Sequence, residues 1–382
     1  MTQLYRHGRP TIGVLIGWHL YWTPNPYGYL IPIFRGIRAA ANDLGCNLLL
    51  ACGMSAQSDP SAPTHPAWPL VANDMDFVPV GPWNTDGLIV FNPLVSKSRS
   101  DYIHDLIRRG HPVVYIGNGE GQPAVVADNT GGIFQATGHL VEHGHRRIAF
   151  IAGNPRDLEG DSGDRLRAYQ AGSQQFGLVT DPDLFAYGYH TFDGGRAAMK
   201  QILAAQGAFT AVLASNDESA LGAMQALKEA GLRIPQDVAI IGFDDRQEAA
   251  AQEPPLTSVH VPLYKSGCQA VVALLQHIHG RKDALRSCKI STRLTIRQSC
   301  GCRQDVGIAR MPSASQAQGA DAGSYQADIA QTMAEAVLAE TQCFNVDEVQ
   351  GLCERLVEAF TASIRKRDPT CFQQMVAELL AR

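Results

Sequence analysis

Two short stretches place metal-binding and nucleophilic side chains at useful spacings. His139-Leu-Val-Glu-His143 has the H-x-x-E-H order. On a helix its imidazoles share one face beside a carboxylate, the way a zinc peptidase presents two ligands and a base. Cys300-Gly-Cys302 sets two thiols one residue apart, a pair able to oxidise or to ligate a metal. No second ligand pair lies near them in the sequence. The nine cysteines are odd in number and include no Cys-x-x-Cys pair, so free thiols in a reducing cytosol are expected. Gly117-Asn-Gly-Glu-Gly121 is glycine-rich but departs from G-x-G-x-x-G, and reads as a turn.

Other residues suit a polar organic ligand. Carboxylates accept from hydroxyls, arginine donates in a rigid fork, and asparagine does both. Asp244 closes the apolar run Val238–Phe243, at the carboxyl edge where α/β sheets hold ligands. Asn216 follows the run Ala211–Ala214 and opens a helical pattern. Either Asn216 or Asp217 could cap that helix; ligand contact is assigned to Asn216 and capping to Asp217.

The elements that must position these residues alternate along the chain. Thr11–Gly17, Asn47–Ala51, Gly87–Phe91, Pro112–Gly117, Ile148–Gly153, Ala211–Ala214 and Val238–Phe243 read as strands. Several are continuous Val/Ile/Leu runs, which marks strands buried on both faces of a parallel sheet. Helical patterns at Ile31–Leu44, Gly131–His143 and Ser219–Ala230 intervene, giving an α/β fold with right-handed crossovers. Gln57–Trp83 is Pro-rich with Trp68, Phe77 and Trp83. It reads as a long surface loop, with a lid or partner-contact role as the alternative.

The 382 residues are 45% hydrophobic and 18% charged, which excludes disorder. A net charge of -5 argues against a chain whose main business is gripping nucleic acid. No apolar run approaches the roughly 20 residues a membrane helix needs, and the start MTQLYRHGRP lacks signal-peptide features. Residues 303–324 are rich in Ala, Gly, Ser and Gln and read as a flexible linker. Residues 325–382 read as three amphipathic helices, carrying Ile329, Met333 and Val337, then Val349 to Ile364, then Phe372 to Leu380 after Asp368-Pro369. The apolar stripe running up to Arg382 leads us to expect that the natural protein continues.

Four stretches together resemble a known family. They are Val126-Ala-Asp-Asn129 with Gly132, His139-Leu140 and Gly144-His145-Arg-Arg-Ile-Ala-Phe-Ile151; Arg165-Leu-Arg-Ala-Tyr169; Ala214-Ser-Asn-Asp217 with Ala220-Leu-Gly222; and Ile234-Pro-Gln-Asp-Val-Ala-Ile-Ile-Gly-Phe-Asp-Asp245 with Pro254-Pro-Leu-Thr257. In this order they resemble the effector-binding region of LacI/GalR-type regulators, over roughly residues 10–302. The resemblance implies a type I periplasmic-binding-protein fold: two Rossmann-like lobes of parallel sheet flanked by helices, plus here a C-terminal helical extension. It places a ligand-binding domain at 1–302, with lobe one at about 10–144 and 263–280 and lobe two at about 145–262 and 290–300. The chain would cross between lobes three times. LacI-type repressors begin with a helix-turn-helix module of about 60 residues, whereas here the first core strand starts by Thr11. The closer likeness is to LacI-like sensor modules of larger bacterial signalling proteins, which end in a segment like Arg297-Gln-Ser-Cys-Gly-Cys302.

The resemblance also implies the site. Arg165 stands where the family grips its ligand, against the alternative of a surface arginine. Tyr27 falls where an aromatic stacks on the ligand, with Trp18, Trp22 and Tyr29 in the same loop; a core tyrosine is the alternative. Asp128 ends a strand on the opposite lobe and reaches the cleft or the hinge. His190 occupies a position where the family often has an aromatic wall, and Phe192 is the alternative for that role. His139-Leu140 and Gly144-His145 fit the binding-protein pattern without a metal, so no metal and no cofactor are expected. The expected function is a cytoplasmic, non-enzymatic sensor of a small sugar-like molecule. It would form a homodimer and signal by cleft closure to a C-terminal output domain or partner protein, with no membrane contact and no direct nucleic acid binding by this chain. The alternatives are a transcriptional regulator or co-regulator of the LacI family with DNA binding outside this chain, and a zinc-dependent hydrolase.

Overall fold

The protein is described by a computed structural model at residues 8–15, 30–51, 54–55, 65–66, 80–91, 97–119, 121–205, 207–280, 287–302, 326, 329–331, 333–334, 346–366 and 370–381. Tyr27, Trp18, Trp22, Tyr29, residues 303–324 and all but Met54–Ser55, His65–Pro66 and 80–83 of the stretch around the Pro-rich loop lie outside the described residues. Two compact units divide at residue 304.

The first unit runs β1 (Thr11–Leu15), α1 (Leu30–Asp43), β2 (Asn47–Ala51), a two-residue pair β3 (Met54–Ser55) and β4 (His65–Pro66), β5 (Gly87–Phe91), α2 (Lys97–Arg108), β6 (Val113–Ile116) and β7 (Ala124–Ala127). It continues with α3 (Asn129–Glu142), β8 (Ile148–Ala152), α4 (Asp161–Gln175), β9 (Phe185–Tyr187), α5 (Phe192–Ala204), β10 (Ala211–Ala214), α6 (Asp217–Glu229), β11 (Ala239–Asp244), the short α7 (Gln247–Ala250) and β12 (Thr257–His260). It closes with α8 (Leu263–Ile278), β13 (Cys288–Ile290) and β14 (Arg293–Thr295).

Two six-stranded sheets carry the unit. One has the order β13-β7-β6-β5-β1-β2 and is parallel throughout. The other has the order β14-β12-β11-β10-β8-β9 and is parallel except for β14. Each puts its second strand outside its first, and each receives one strand from the segment after α8. The central strands are apolar on both faces: Ile148–Ala152 is buried at every position, as Val/Ile/Leu runs between helix layers require. The lobes thus repeat one topology, with a switch point between β1 and β5 in one and between β8 and β10 in the other.

The chain crosses between lobes three times, at Asp128, near Val261–Pro262 and near Ser291–Thr292. The first crossing corrects the expectation that lobe one extends to residue 144. Ile133, Ala136 and Leu140 of α3 pack with Ile148, Phe150, Leu213, Ile241 and Val259 of the second sheet. Amphipathic spacing gives α3 an apolar face but does not say which sheet will cover it. After α8 the chain gives one strand to each sheet: β13 pairs with β7 of the first, and β14, within the segment 290–300 placed in lobe two, joins the second.

The second unit holds helices at Val346–Lys366 and Thr370–Ala381. Phe360 and Phe372 meet edge to face with ring centroids 5.3 Å apart. Ala330 and Ala334 are buried with Val349, Cys353 and Val357. Ile329 and Met333, expected to form the buried stripe, are instead exposed.

Candidate functional site

The second lobe's switch point gathers most of the expected residues. Arg165, on the second turn of α4, is 5% exposed. Its Nε donates to Asn129 Oδ1 at 2.8 Å, and Nη1 donates to the Ser215 carbonyl at 2.5 Å. Nη1 also lies 3.4 Å from Asp244 Oδ1, and Nη2 3.9 Å from Asp161 Oδ2. The guanidinium stacks 3.8 Å above the Phe243 ring, a cation–π contact that strengthens with desolvation. These partners come from the carboxyl ends of β10 and β11 and the first turns of α3 and α4. An α/β sheet opens its ligand crevice at that edge.

Asp244 sits beside Arg165 with its side chain 21% exposed. Burial pushes its carboxyl up to about 6, with Arg165 offsetting part of the cost. Asp244 and Asp245 have φ of 107° and 55°, and Tyr189 and His190 have φ of 55° and 59°. Two consecutive left-handed pairs therefore flank the site. Such backbone costs about 1–3 kcal/mol per residue and collects where function demands it. Asp245 is tied to Arg297 at 2.6 Å, His260 at 2.9 Å and Thr295 at 3.1 Å, which holds the turn in place.

Asn216 takes the capping role expected of Asp217. Asn216, with β-region backbone, is the N-cap of α6: its Oδ1 accepts from Ser219 N at 3.0 Å. Its Nδ2 donates to the His190 carbonyl at 3.1 Å. Asp217 is fully buried and accepts from Ser258 Oγ at 2.6 Å and Arg246 N at 2.8 Å. Burial, then the neighbouring Asp244 charge, holds its carboxyl well above the usual range. Capping follows backbone conformation at the helix edge, which residue type alone does not fix.

His190 Nε2 is 2.8 Å from Ser162 Oγ. Burial and then the Arg165 charge lower its imidazole to about 4, so it is neutral at physiological pH. Phe192, the alternative to it, is the first residue of α5 and 40% exposed. Asp128 lies at the hinge. Its Oδ1 caps α3 by accepting from Gly131 N at 3.0 Å, and pairs with Lys289 Nζ at 3.0 Å. The neighbour Asn129 is the residue that reaches Arg165. Asn129 is 2% exposed and donates to Asp161 Oδ1 at 2.7 Å. The sequence carried a signal for it, an asparagine directly after the strand-ending aspartate, but the acidic residue drew the assignment. Across the lobes, Asn118 after β6 donates to the Glu159 carbonyl at 2.5 Å.

At the far end of α3 the structure unites the two stretches that sequence reasoning kept apart. His139 Nε2 is 3.3 Å from Cys300 Sγ and 3.6 Å from Cys302 Sγ, and His143 Nε2 is 3.2 Å from Cys302 Sγ.

Comparison with known proteins agrees with this architecture. Residues 137–300 match the family model described as a periplasmic binding protein-like domain. The HTH-type transcriptional regulator CelR of Thermobifida fusca is 36% identical over 56% of this chain and 64% of its own length. The HTH-type transcriptional repressor CytR of Escherichia coli K12 is 37% identical over 46% of this chain and 51% of its own. The chain thus spans between half and two thirds of the length of these curated relatives. A solved CelR–cellobiose complex superposes with a TM-score of 0.61 at 28% identity, over 76% of this chain and 85% of that one. Among the described residues no helix is long and apolar enough to cross a membrane. The two sheets, the matched region and these relatives together show a periplasmic-binding-protein-like fold, similar to the effector-binding domain of LacI/GalR-type regulators.

Proposed function

We propose that this chain is the effector-sensing part of a LacI-type transcriptional regulator that takes a small polyhydroxylated ligand. The observation that carries the reading is the buried fork of Arg165, held between Asn129, the Ser215 carbonyl and Asp244 at the lobe-two switch point. Such a group can exchange its protein partners for a pair of hydroxyls at little reorganisation cost. Asp244 accepts from the same hydroxyls, Asn216 both donates and accepts, and His190 bounds the site. Tyr27, which lies outside the described residues, is assigned to ring stacking.

The chain acts without catalysis, in the cytoplasm, and as a homodimer. Ligand binding favours the closed arrangement of lobes over the open one, and the response follows from that difference in affinity. DNA is contacted by a module other than this domain. A second reading, in which lobe motion passes through residues 325–382 to an output domain or partner protein, is supported by the packed helices of the second unit.

Cellobiose, the ligand in the similar CelR complex, is the first probe, followed by other β-linked disaccharides and monosaccharides. Saturable binding that Arg165→Ala and Asp244→Ala abolish is the expected result. Binding unchanged in both variants would overturn the site. For the output, a reporter under an operator bound by the natural protein should respond to the ligand. A response seen only in a partner-association assay would favour the second reading.

A further inference from the structure

The His–Cys cluster lies at the opposite end of α3 from the Arg165 site. His139 is ten residues beyond the start of α3, about 15 Å along the helix at 1.5 Å per residue. His143 is the C-cap of α3, its backbone N–H bonded to the His139 carbonyl. At this spacing the two imidazoles share one helix face, and their ring centroids are 4.6 Å apart. Facing them is the last described turn of the unit. Ser299 Oγ donates to the Ile240 carbonyl at 2.6 Å and accepts from Thr257 N at 2.8 Å. Gly301 then turns with φ +96°, left-handed backbone that glycine adopts freely. The turn brings the Cys300 sulfur to His139 and the Cys302 sulfur to both imidazoles.

We propose that His139, His143, Cys300 and Cys302 form a zinc site that fastens the end of the ligand-binding domain to α3. Among the described residues, the donor atoms of His139, Cys300 and Cys302 lie within 4.8 Å of one another; His143 stands outside that trio but has Nε2 3.2 Å from Cys302 Sγ, so a turn of its exposed side chain supplies the fourth ligand. Zinc takes thiolate sulfur at about 2.3 Å and imidazole nitrogen at about 2.0 Å in a tetrahedron. An N···S edge of that tetrahedron is therefore about 3.5 Å long. The three N···S separations here are 3.2, 3.3 and 3.6 Å.

Two further features favour a cation. The site stands at the carboxyl end of a helix, where the macrodipole attracts positive charge. Its chemistry is that of a Cys2His2 structural centre, whose histidines keep the usual H-x3-5-H spacing while the cysteines are closer than usual. Four protein ligands leave no open position for a water. This is where the site parts from the zinc-peptidase pattern, which needs that position and a carboxylate base. Zinc binding displaces the two thiol protons to solvent and neutralises the thiolates.

The test uses the full chain purified under reductant and stripped of metal on a chelating resin. Cobalt(II) alone is titrated first, and zinc is then added in competition. The expected result is saturation at one equivalent, with the intense visible bands and thiolate charge transfer of tetrahedral cobalt, bleached by zinc. Zinc should also raise the unfolding temperature. Cys302→Ser and His143→Ala, both at solvent-accessible positions, should weaken binding at least tenfold while circular dichroism shows the fold intact. Cys46→Ser, outside the cluster, should not change binding. A faint octahedral cobalt spectrum in the wild-type chain would overturn the proposal. So would stoichiometric binding that survives both variants, or a Cys300–Cys302 disulfide that persists under reductant.

Discussion

Arg165 and Asp244 approach to 3.4 Å at the carboxyl edge of the second sheet, one from α4 and the other from the end of β11. The arginine is buried and its charge is shared with Asn129, Ser215 and the Phe243 ring. Removing one partner of a buried pair strands the other charge, at a typical cost of about 3–5 kcal/mol. Arg165→Ala should therefore lower unfolding stability by that order and abolish ligand binding. Asp244→Asn, which leaves a polar group in place and a more exposed side chain, should cost less than half as much. Denaturant unfolding of both variants checks the ranking, and equal costs would refute it.

The same cluster predicts an unusual pH profile. Burial lifts the Asp244 carboxyl from 3.8 to about 6. Its folded value lies above its unfolded one, so its stabilising contribution is complete below 3.8 and fades as pH rises through about 6. His190 runs the other way: burial, then Arg165, lowers its imidazole from 6.5 to about 4. Its contribution is present above 6.5 and is lost as pH falls through about 4. The two slopes oppose each other in the shared window, each reaching at most about 1.4 kcal/mol per pH unit. These two contributions therefore cancel in part there, beside those of Asp217, which falls with rising pH, and His111, which rises. Relative to wild type, His190→Asn should tilt the stability–pH slope downward, and Asp244→Asn should tilt it upward. Unfolding curves across the window decide, and identical slopes in both variants would exclude this origin.

Strands such as Gly87–Phe91 and Ala211–Ala214 are legible in the sequence to their observed bounds, because a strand covered on both faces must be apolar throughout. The partner of α3 was not legible: helical spacing defines a face, and the second sheet claims it through Phe150, Phe243 and Val259. Arg165, Asn216, Asp244 and His190 do meet, although Asn216 also caps its helix. The His139–Cys300 contact joins residues 161 apart, and nothing local to either stretch announces the other. The two motifs look inert when read separately, and only the return of the chain along the second sheet joins them.

Asp128 holds the hinge with both its ends. Its backbone N–H donates to the Ile290 carbonyl at 2.8 Å, and its carbonyl accepts from Thr292 Oγ1 at 3.0 Å, so two of the interlobe crossings run side by side. Its carboxylate caps α3 and pairs with Lys289, whose side chain is 59% exposed. Loss of an N-cap costs about 1 kcal/mol, whereas an exposed ion pair is worth less than about 1 kcal/mol. Asp128→Ala should thus destabilise by about 1 kcal/mol, and both Lys289→Ala and Asp128→Asn by only a few tenths. Thermal melts at low and high salt separate the two contributions, since only the ion pair is screened. A Lys289→Ala loss as large as that of Asp128→Ala would contradict the ranking.

The first lobe's helix pair offers a test of packing that no charge complicates. A Cβ on Gly36 of α1 would fall 2.0 Å from the Tyr264 carbonyl oxygen, and one on Gly267 of α8 would fall 2.0 Å from that of Ile33. Each helix therefore presses its backbone against a glycine of the other, and an added methyl must push the two apart. Overpacking of this kind costs about 1–3 kcal/mol. Gly172 of α4 meets only Thr137 side-chain atoms, at 3.8–3.9 Å, which is ordinary contact. There a methyl removes the entropy penalty of glycine within a helix, worth about 0.5–1 kcal/mol. One chemical change should consequently act with opposite signs: Gly267→Ala destabilises and Gly172→Ala stabilises. Chemical denaturation of the two single variants measures both, and a gain in stability from Gly267→Ala would mean that α1 and α8 do not pack this closely in solution.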